Sequence, residues 1–344
     1  MTDKNFCMSS YLAFRNIEDD NKDFFDGMHH IVCKIPPDEE RVPVYSAEDI
    51  DKALTGFFAE LRKDKKLGLC LSGGMDSASL CAYMQGCDAY TFRYLGGEFQ
   101  QEELARAETF AKYHGLKLHY VDIDWSVVEK NVGPLMENRG APVHSIEPQL
   151  YQLALQAKAD GVDMLVTGIG ADIQFGGLDK LMSKDWGFDE FVKRFMYIDP
   201  RDVLNEPVDM TCLFEEFRQG DKIDFLGFLK KDTEFMPSYY NAFSAAGMPF
   251  YHGYMGVRMA APLDIDRIRS GDSKYLIREF FSMKYPDLPV PNKNPMPRPV
   301  DAYFADWEGP TRPEFKKNLD MSKFTGNQKW LLWCLQEFLN KYDG

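Results

Sequence analysis

The sequence predicts an α/β fold: a parallel sheet with helices on both faces, followed by a mostly helical C-terminal part. Four short apolar runs, at residues 67–71, 89–93, 116–123 and 163–167, read as strands. Segments with apolar residues at helical spacing separate them, which is the pattern of βαβ units in a parallel sheet. The first and the last of these strands each run straight into a glycine-rich loop. Ligands of such sheets bind at the carboxyl ends of the strands, so the two loops mark the candidate site.

Taken in order, residues 1–45 read as an irregular extension ending in the linker-like Ile35-Pro36-Pro37-Asp38-Glu39-Glu40-Arg41-Val42-Pro43. Ser46 then caps a helix, with Asp49 three positions on and Ile50, Leu54, Phe57, Phe58 and Leu61 at helical spacing. A charged stretch, 62–66, closes that helix before the first strand. A second helix starts at Asp76 and runs toward Gln85. Residues 102–114 place Leu104, Ala107, Phe110 and Ala111 on one helical face. Pro148 opens a further helix to Ala159, with Leu150, Leu153, Ala154 and Ala157 inward. Beyond about residue 180 aromatic-rich helices and loops take over. Residues 328–342 put Leu331, Cys334, Leu335, Phe338 and Leu339 on one stripe, read as core. The expected organisation is an extension and linker (1–45), an α/β core (46–180), and a helical part completing the substrate site (181–344).

Composition narrows the partners. The chain has 344 residues, 44% hydrophobic and 27% charged, as soluble globular proteins do. Its 40 basic against 54 acidic residues leave a net charge of −14, and nucleic-acid binding normally leaves a basic footprint. The seven cysteines are scattered, with no C-x-x-C, which fits reduced thiols better than disulfides or zinc. No secretory signal and no bilayer-length apolar run is seen, so a cytoplasmic location without a membrane partner is expected.

The first loop reads Ser72-Gly73-Gly74-Met75-Asp76-Ser77. A strand breaking at two glycines before a helix presents backbone N–H groups at the positive end of the helix, an arrangement that binds phosphate. No Gly-Lys-Ser/Thr follows, and the G-x-G-x-x-G spacing is absent, so it is neither a Walker loop nor a dinucleotide fingerprint. The alternative for the loop alone is a capped glycine turn. The second loop is Thr167-Gly168-Ile169-Gly170-Ala171-Asp172-Ile173-Gln174-Phe175-Gly176-Gly177. Lying beside the first in a parallel sheet, it would let Asp76 and Asp172 face one Mg²⁺ held by pyrophosphate oxygens.

Ser-Gly-Gly-x-Asp-Ser resembles the pyrophosphate loop (PP-loop) of ATP pyrophosphatases. The two loops together, about ninety residues apart, resemble the synthetase domain of asparagine synthetases and β-lactam synthetases. Arg139-Gly140-Ala141-Pro142 with Ser145, the stretch Arg258-Met259-Ala260-Ala261-Pro262-Leu263-Asp264, and Lys293 in the proline-rich 289–299 segment extend the resemblance. It implies ATP with its pyrophosphate on Ser72, Gly73, Gly74 and Ser77, flanked by Gly168 and Gly170. Adenine would be read near Leu71 and Thr91–Phe92, and Mg²⁺ would sit on Asp76 and Asp172. Lys293 would stabilise charge as AMP departs. A small-molecule carboxylate, activated as an acyl-adenylate, would then be attacked by ammonia or an amine. His144, Ile169, Arg258 and Arg298 are the candidate substrate contacts.

Two departures qualify the resemblance. No N-terminal glutaminase domain is recognisable: Cys7 is internal, and 45 residues cannot hold one, so ammonia, an amine or a separate glutaminase would supply nitrogen. Ile169 and Ile173 stand where asparagine synthetases carry glutamates, and β-lactam synthetases have Tyr at the first position. Isoleucine cannot accept a proton. Two other readings stay open: activation of a tRNA nucleoside, and a non-catalytic nucleotide-binding relative.

Overall fold

The computed structural model describes residues 1–96, 100–231, 235–292 and 298–343. The chain runs through α1 (Lys4–Phe14), β1 (Val42–Val44), α2 (Ala47–Leu61), β2 (Leu67–Cys70), α3 (Met75–Leu80), β3 (Asp88–Tyr94) and α4 (Gln101–His114). It continues through β4 (Lys117–Ile123), α5 (Trp125–Arg139), α6 (Glu147–Ala159), β5 (Met164–Thr167) and α7 (Ala171–Gln174). Then follow α8 (Asp179–Met182), α9 (Phe188–Phe195), α10 (Pro200–Val203), the short β6 (Arg218–Gln219) and β7 (Lys222–Ile223), α11 (Phe225–Lys231) and α12 (Phe235–Ala245). Last come β8 (Phe250–His252), β9 (Val257–Met259), α13 (Ile265–Arg269), α14 (Tyr275–Lys284), α15 (Val300–Tyr303) and α16 (Gly326–Tyr342).

The central sheet has five parallel strands in the order β4-β3-β2-β5-β8. Leu69 of β2 pairs with Ala89 of β3 on one side and Val166 of β5 on the other, and all three are buried. A strand buried on both faces reads as a continuous apolar run, which is why 67–71 and 163–167 were visible in the sequence. The chain builds β2, β3 and β4 outward, then returns to the far side of β2 for β5. Strand order therefore reverses between β2 and β5, and a crevice opens at their carboxyl ends. Helices α5, α6 and α12 pack together on one face, and α2, α3, α4 and α14 on the other.

Three segment readings need correction. Residues 1–45 are not irregular throughout: they contain α1, capped by the Asp3 carboxylate accepting from the Phe6 N–H, and Phe6 to Phe14 are all buried. A helix buried on every side shows no single apolar face, and Ser9 and Ser10 interrupt its apolar run. Both serines are satisfied: Ser9 Oγ accepts from Val208 N at 2.9 Å, and Ser10 Oγ donates to Asn16 O at 2.9 Å. The linker-like stretch ends in β1, which pairs in parallel with β9. The helix expected to run from Asp76 toward Gln85 stops at Leu80 and tightens into a 3₁₀ turn, Cys81–Tyr83. Arg62 terminates it, donating to Tyr83 O at 2.7 Å and Gln85 O at 3.0 Å. The third correction is an addition, α5, whose Asp124 cap accepts from the Val127 N–H at 3.0 Å.

The last helix carries a capping box between Thr325 and Gln328, and its expected stripe is buried. The aromatic-rich region forms its own cluster, in which Phe191, Phe195, Phe214 and Phe228 pack ring against ring. All seven cysteines are free thiols. Among the described residues no helix is long and apolar enough to cross a membrane.

Candidate active site

The crevice between β2 and β5 is built from the two glycine loops. Leu71 ends the first strand, its N–H donating to Tyr90 O at 2.9 Å, and its side chain is buried. The loop that follows is closed by a pair of hydroxyls. Ser77 Oγ accepts from the Ser72 N–H at 3.0 Å and lies 3.0 Å from Ser72 Oγ, which accepts from the Gly74 N–H at 3.2 Å. Gly73 backs onto the Glu103 backbone. The loop is thus fixed before any ligand arrives, which removes the ordering cost from binding.

The second loop is pressed against the first. A Cβ on Gly168 would lie 2.8 Å from the Ser77 nitrogen and 3.0 Å from the Asp76 carbonyl carbon, so only glycine admits this approach. Gly170, with φ of +100°, then turns the chain into α7 and delivers Asp172. Asp76 and Asp172 do converge, as the sequence suggested.

Between them stands a residue the sequence reading missed. Lys274 Nζ lies 2.5 Å from Asp76 Oδ2 and 2.9 Å from Asp172 Oδ1, with its own side chain almost wholly buried. Burial lowers the pKa of this ammonium, but the two carboxylates outweigh burial and hold it above the ordinary lysine value. Gly177 makes room for the group, since a Cβ there would fall 2.0 Å from Asp172 Oδ1 and 2.2 Å from Lys274 Cε. Lys274 sits in left-handed backbone (φ +53°) at the N-cap of α14. A cation at the positive end of a helix is electrostatically misplaced unless acids hold it, and that misplacement was the one available sequence signal.

The remaining candidates lie in separate places. Thr91 and Phe92 lie on β3 just beyond Tyr90, the last β3 residue paired with β2, and the Phe92 carbonyl accepts from Gln100 Nε2 at 3.1 Å. Ile169, half-buried, follows Thr167 at the end of β5. His144 and Arg298 come together at the start of α6: Arg298 Nη1 donates to Ser145 Oγ at 2.7 Å, and Arg15 Nη1 lies 2.7 Å from His144 Nε2. Burial, reinforced by Arg15, Arg298 and Arg139, holds the His144 pKa well below the usual value, so its ring is neutral. Arg258 is engaged elsewhere, on β9, where Nε donates to Asp38 O at 3.1 Å. Lys293 lies outside the described residues.

Thr167 and His252 are register partners at the ends of β5 and β8, with Thr167 Oγ1 2.7 Å from His252 Nδ1. Burial pushes the His252 pKa down to about 4. A histidine that titrates lower when folded costs stability as pH falls below its unfolded value, because the unfolded chain then binds more protons. Between about pH 7.5 and about pH 5.5 this histidine should remove about 1 kcal/mol of stability. His252→Gln is expected to flatten that part of the profile, read by urea unfolding at the two pH values.

The donor set around Asp76 and Asp172 suits a hard cation: two carboxylates already meet one positive charge, and Mg²⁺ is commonly held by one or two carboxylates plus phosphate oxygens. Among the described residues no cluster of three or more His, Cys, Asp or Glu side chains forms a metal cage.

No curated protein matches the chain. Among solved structures, the U34-tRNA thiolase NcsA from Methanococcus maripaludis is 14% identical over 85% of this chain and 80% of its own, with a TM-score of 0.32. An NMN synthetase from Francisella tularensis is 9% identical over 73% of this chain and 99% of its own, with a TM-score of 0.30. The sequence model of the asparagine synthase family matches residues 50–237, which include both glycine loops and the strands that present them. With that match over more than half its length, the chain belongs to the asparagine synthase family of ATP-using PP-loop enzymes.

Proposed function

We propose that this protein is an AMP- and pyrophosphate-forming carbon–nitrogen ligase that activates a small carboxylic acid for attack by ammonia or an amine. The observation that carries the reading is the seating of Gly168 on the first loop, which brings Asp76 and Asp172 together over a phosphate-binding turn. ATP would rest its pyrophosphate on the backbone of Ser72, Gly73 and Gly74 and on the Ser72 and Ser77 hydroxyls. A substrate carboxylate oxygen attacks the α-phosphorus, the bond to the β-phosphate oxygen breaks, and pyrophosphate leaves. The amine nitrogen then attacks the acyl carbon and the bond to AMP breaks. Ile169 has no proton-accepting atom, so the proton lost by nitrogen passes to solvent or to the departing phosphate.

Asp76 and Asp172 would hold Mg²⁺, which neutralises charge on the pyrophosphate. Lys274 keeps the two acids together until then. The role of Lys293 at the departing AMP rests on the resemblance of its segment. Nitrogen would come from free ammonia, an amine or a separate glutaminase.

The test is pyrophosphate release from ATP and Mg²⁺ across a panel of carboxylates with ammonia or amines. Release should require one carboxylate and fall by about 10²–10³-fold in Asp76→Ala. Release triggered by bulk tRNA without any added carboxylate would move the protein to nucleoside activation instead.

A further inference from the structure

The crevice already holds a cation, and the cation belongs to the chain. Lys274 Nζ lies 2.5 Å from Asp76 Oδ2 and 2.9 Å from Asp172 Oδ1, so it spans one oxygen of each acid. The lysine is the buried member of the group: its side chain is 3% exposed, against 23% for Asp76 and 41% for Asp172. The backbone around it is tied down. Tyr254 Oη donates to Asp76 O at 2.9 Å. Tyr285 Oη, just past the end of α14, donates to Ala78 O at 2.7 Å, which fastens α14 to α3. The Arg267 guanidinium lies over the Tyr275 ring, 4.3 Å from its centroid, and bonds Asp272 and Glu279, which steadies the turn into α14.

Charge decides what can join this group. Two carboxylates and one ammonium leave a single negative charge. A divalent ion bridging the same two acids would stand beside the ammonium, and two cations at that range repel strongly. Nor can the ammonium step aside on its own. Drawn off the acids, it would be a buried charge without a partner, which is costly. A nucleotide polyphosphate removes both obstacles, because it brings the negative charge that lets two cations share the crevice.

We propose that Lys274 stands in for the metal before nucleotide binds, so that Asp76 and Asp172 take up a divalent ion only together with ATP. This rests on the reading that those two acids hold Mg²⁺ beside ATP, and is independent of which acid and amine are joined. Lys274 is then a positioning residue with two effects: it keeps the acids set for a metal, and it keeps free metal out. Gly177 belongs to the same device, since a Cβ there would fall 2.2 Å from Lys274 Cε and push the ammonium off the acids.

The experiment uses the full chain with Mn²⁺ as the probe, the unbound ion being counted by electron paramagnetic resonance. Without nucleotide, wild type and Asp76→Asn should bind Mn²⁺ alike, through the weak sites of an acidic surface. Lys274→Met should gain one site at least about ten-fold tighter than any in the wild type, and adding Asp76→Asn should abolish it. With a non-hydrolysable α,β-methylene analogue of ATP, the wild type should bind one Mn²⁺ more tightly than the free analogue does, and Asp76→Asn should not. Millimolar Mg²⁺ should raise the Tm of Lys274→Met by more than that of the nucleotide-free wild type. A nucleotide-free wild type holding a Mn²⁺ that Asp76→Asn loses overturns the exclusion, and that comparison needs no lysine variant to fold. A folded Lys274→Met chain that gains no site overturns it too. Equal binding by Asp76→Asn with the analogue present takes the metal off these acids and the proposal with it. If the exclusion holds but no carboxylate elicits pyrophosphate release, the ligase reading fails and the exclusion stands.

Discussion

Lys274→Met is expected to cost the protein both stability and turnover. The ammonium is a counter-charge shared by Asp76 and Asp172, and its removal takes that charge from both carboxylates at once. Losing one partner of a fully buried ion pair costs about 3–5 kcal/mol. Here Asp172 is 41% exposed and water screens part of the repulsion, so about 2 kcal/mol is expected at neutral pH. The pH dependence has a definite sign. A lysine whose folded pKa is raised contributes stability in full below its unfolded value and loses it as pH rises through the folded one. The wild type should therefore show an alkaline limb near and above the lysine range that Lys274→Met lacks. Acidification should partly rescue the variant, since protonating either acid relieves the repulsion. Urea unfolding across pH reads both limbs. Pyrophosphate release should fall by about 10²-fold, the cost of mispositioning groups by an ångström.

Gly168→Ala should abolish ATP turnover with only a modest loss of fold. The added methyl would meet backbone atoms, the Ser77 nitrogen and the Asp76 carbonyl carbon, which cannot rotate away as a side chain would. One of the two loops must retreat, which separates Asp172 from the phosphate-binding turn. A loss of about 10²-fold or more in turnover is expected. The ATP-analogue affinity should weaken, and the cooperative unfolding transition should persist. Wild-type kinetics in this variant would mean that the two loops do not act together.

Whether a feature could be read from sequence depended on how its environment patterns the residues. The strand 67–71 and its loop were legible because a doubly buried strand is uniformly apolar and a close backbone approach leaves glycines behind. The convergence of Asp76 and Asp172 followed from placing both loops at the ends of parallel strands. Helix α1 was not legible, because periodicity reports the contrast between a wet face and a dry one, and α1 has no wet face. Lys274 was hidden for a different reason. It is one cation among 40 Lys and Arg residues, and its partners lie 102 and 198 positions away in the chain, distances that no local window spans. Arg258 misled in the opposite direction: its short stretch looks like site sequence, yet its guanidinium ties down the segment leading into β1.

The placement of α1 bears on how the molecule is made. Lys4 pairs with Glu314 and with Asp343, Tyr11 donates to Val143 O, and α1 packs against α16. These partners lie 132, 310 and 339 positions further along the chain. Contacts of such sequence separation carry a loop-closure cost and form slowly. Until α16 docks, α1 has no complete surface to bury itself against, and its apolar side chains are open to aggregation. The sheet can begin to order around β2, β3 and β4 before α1 and α16 meet, so a chain caught between the two steps would hold an ordered sheet beside an unsealed α1.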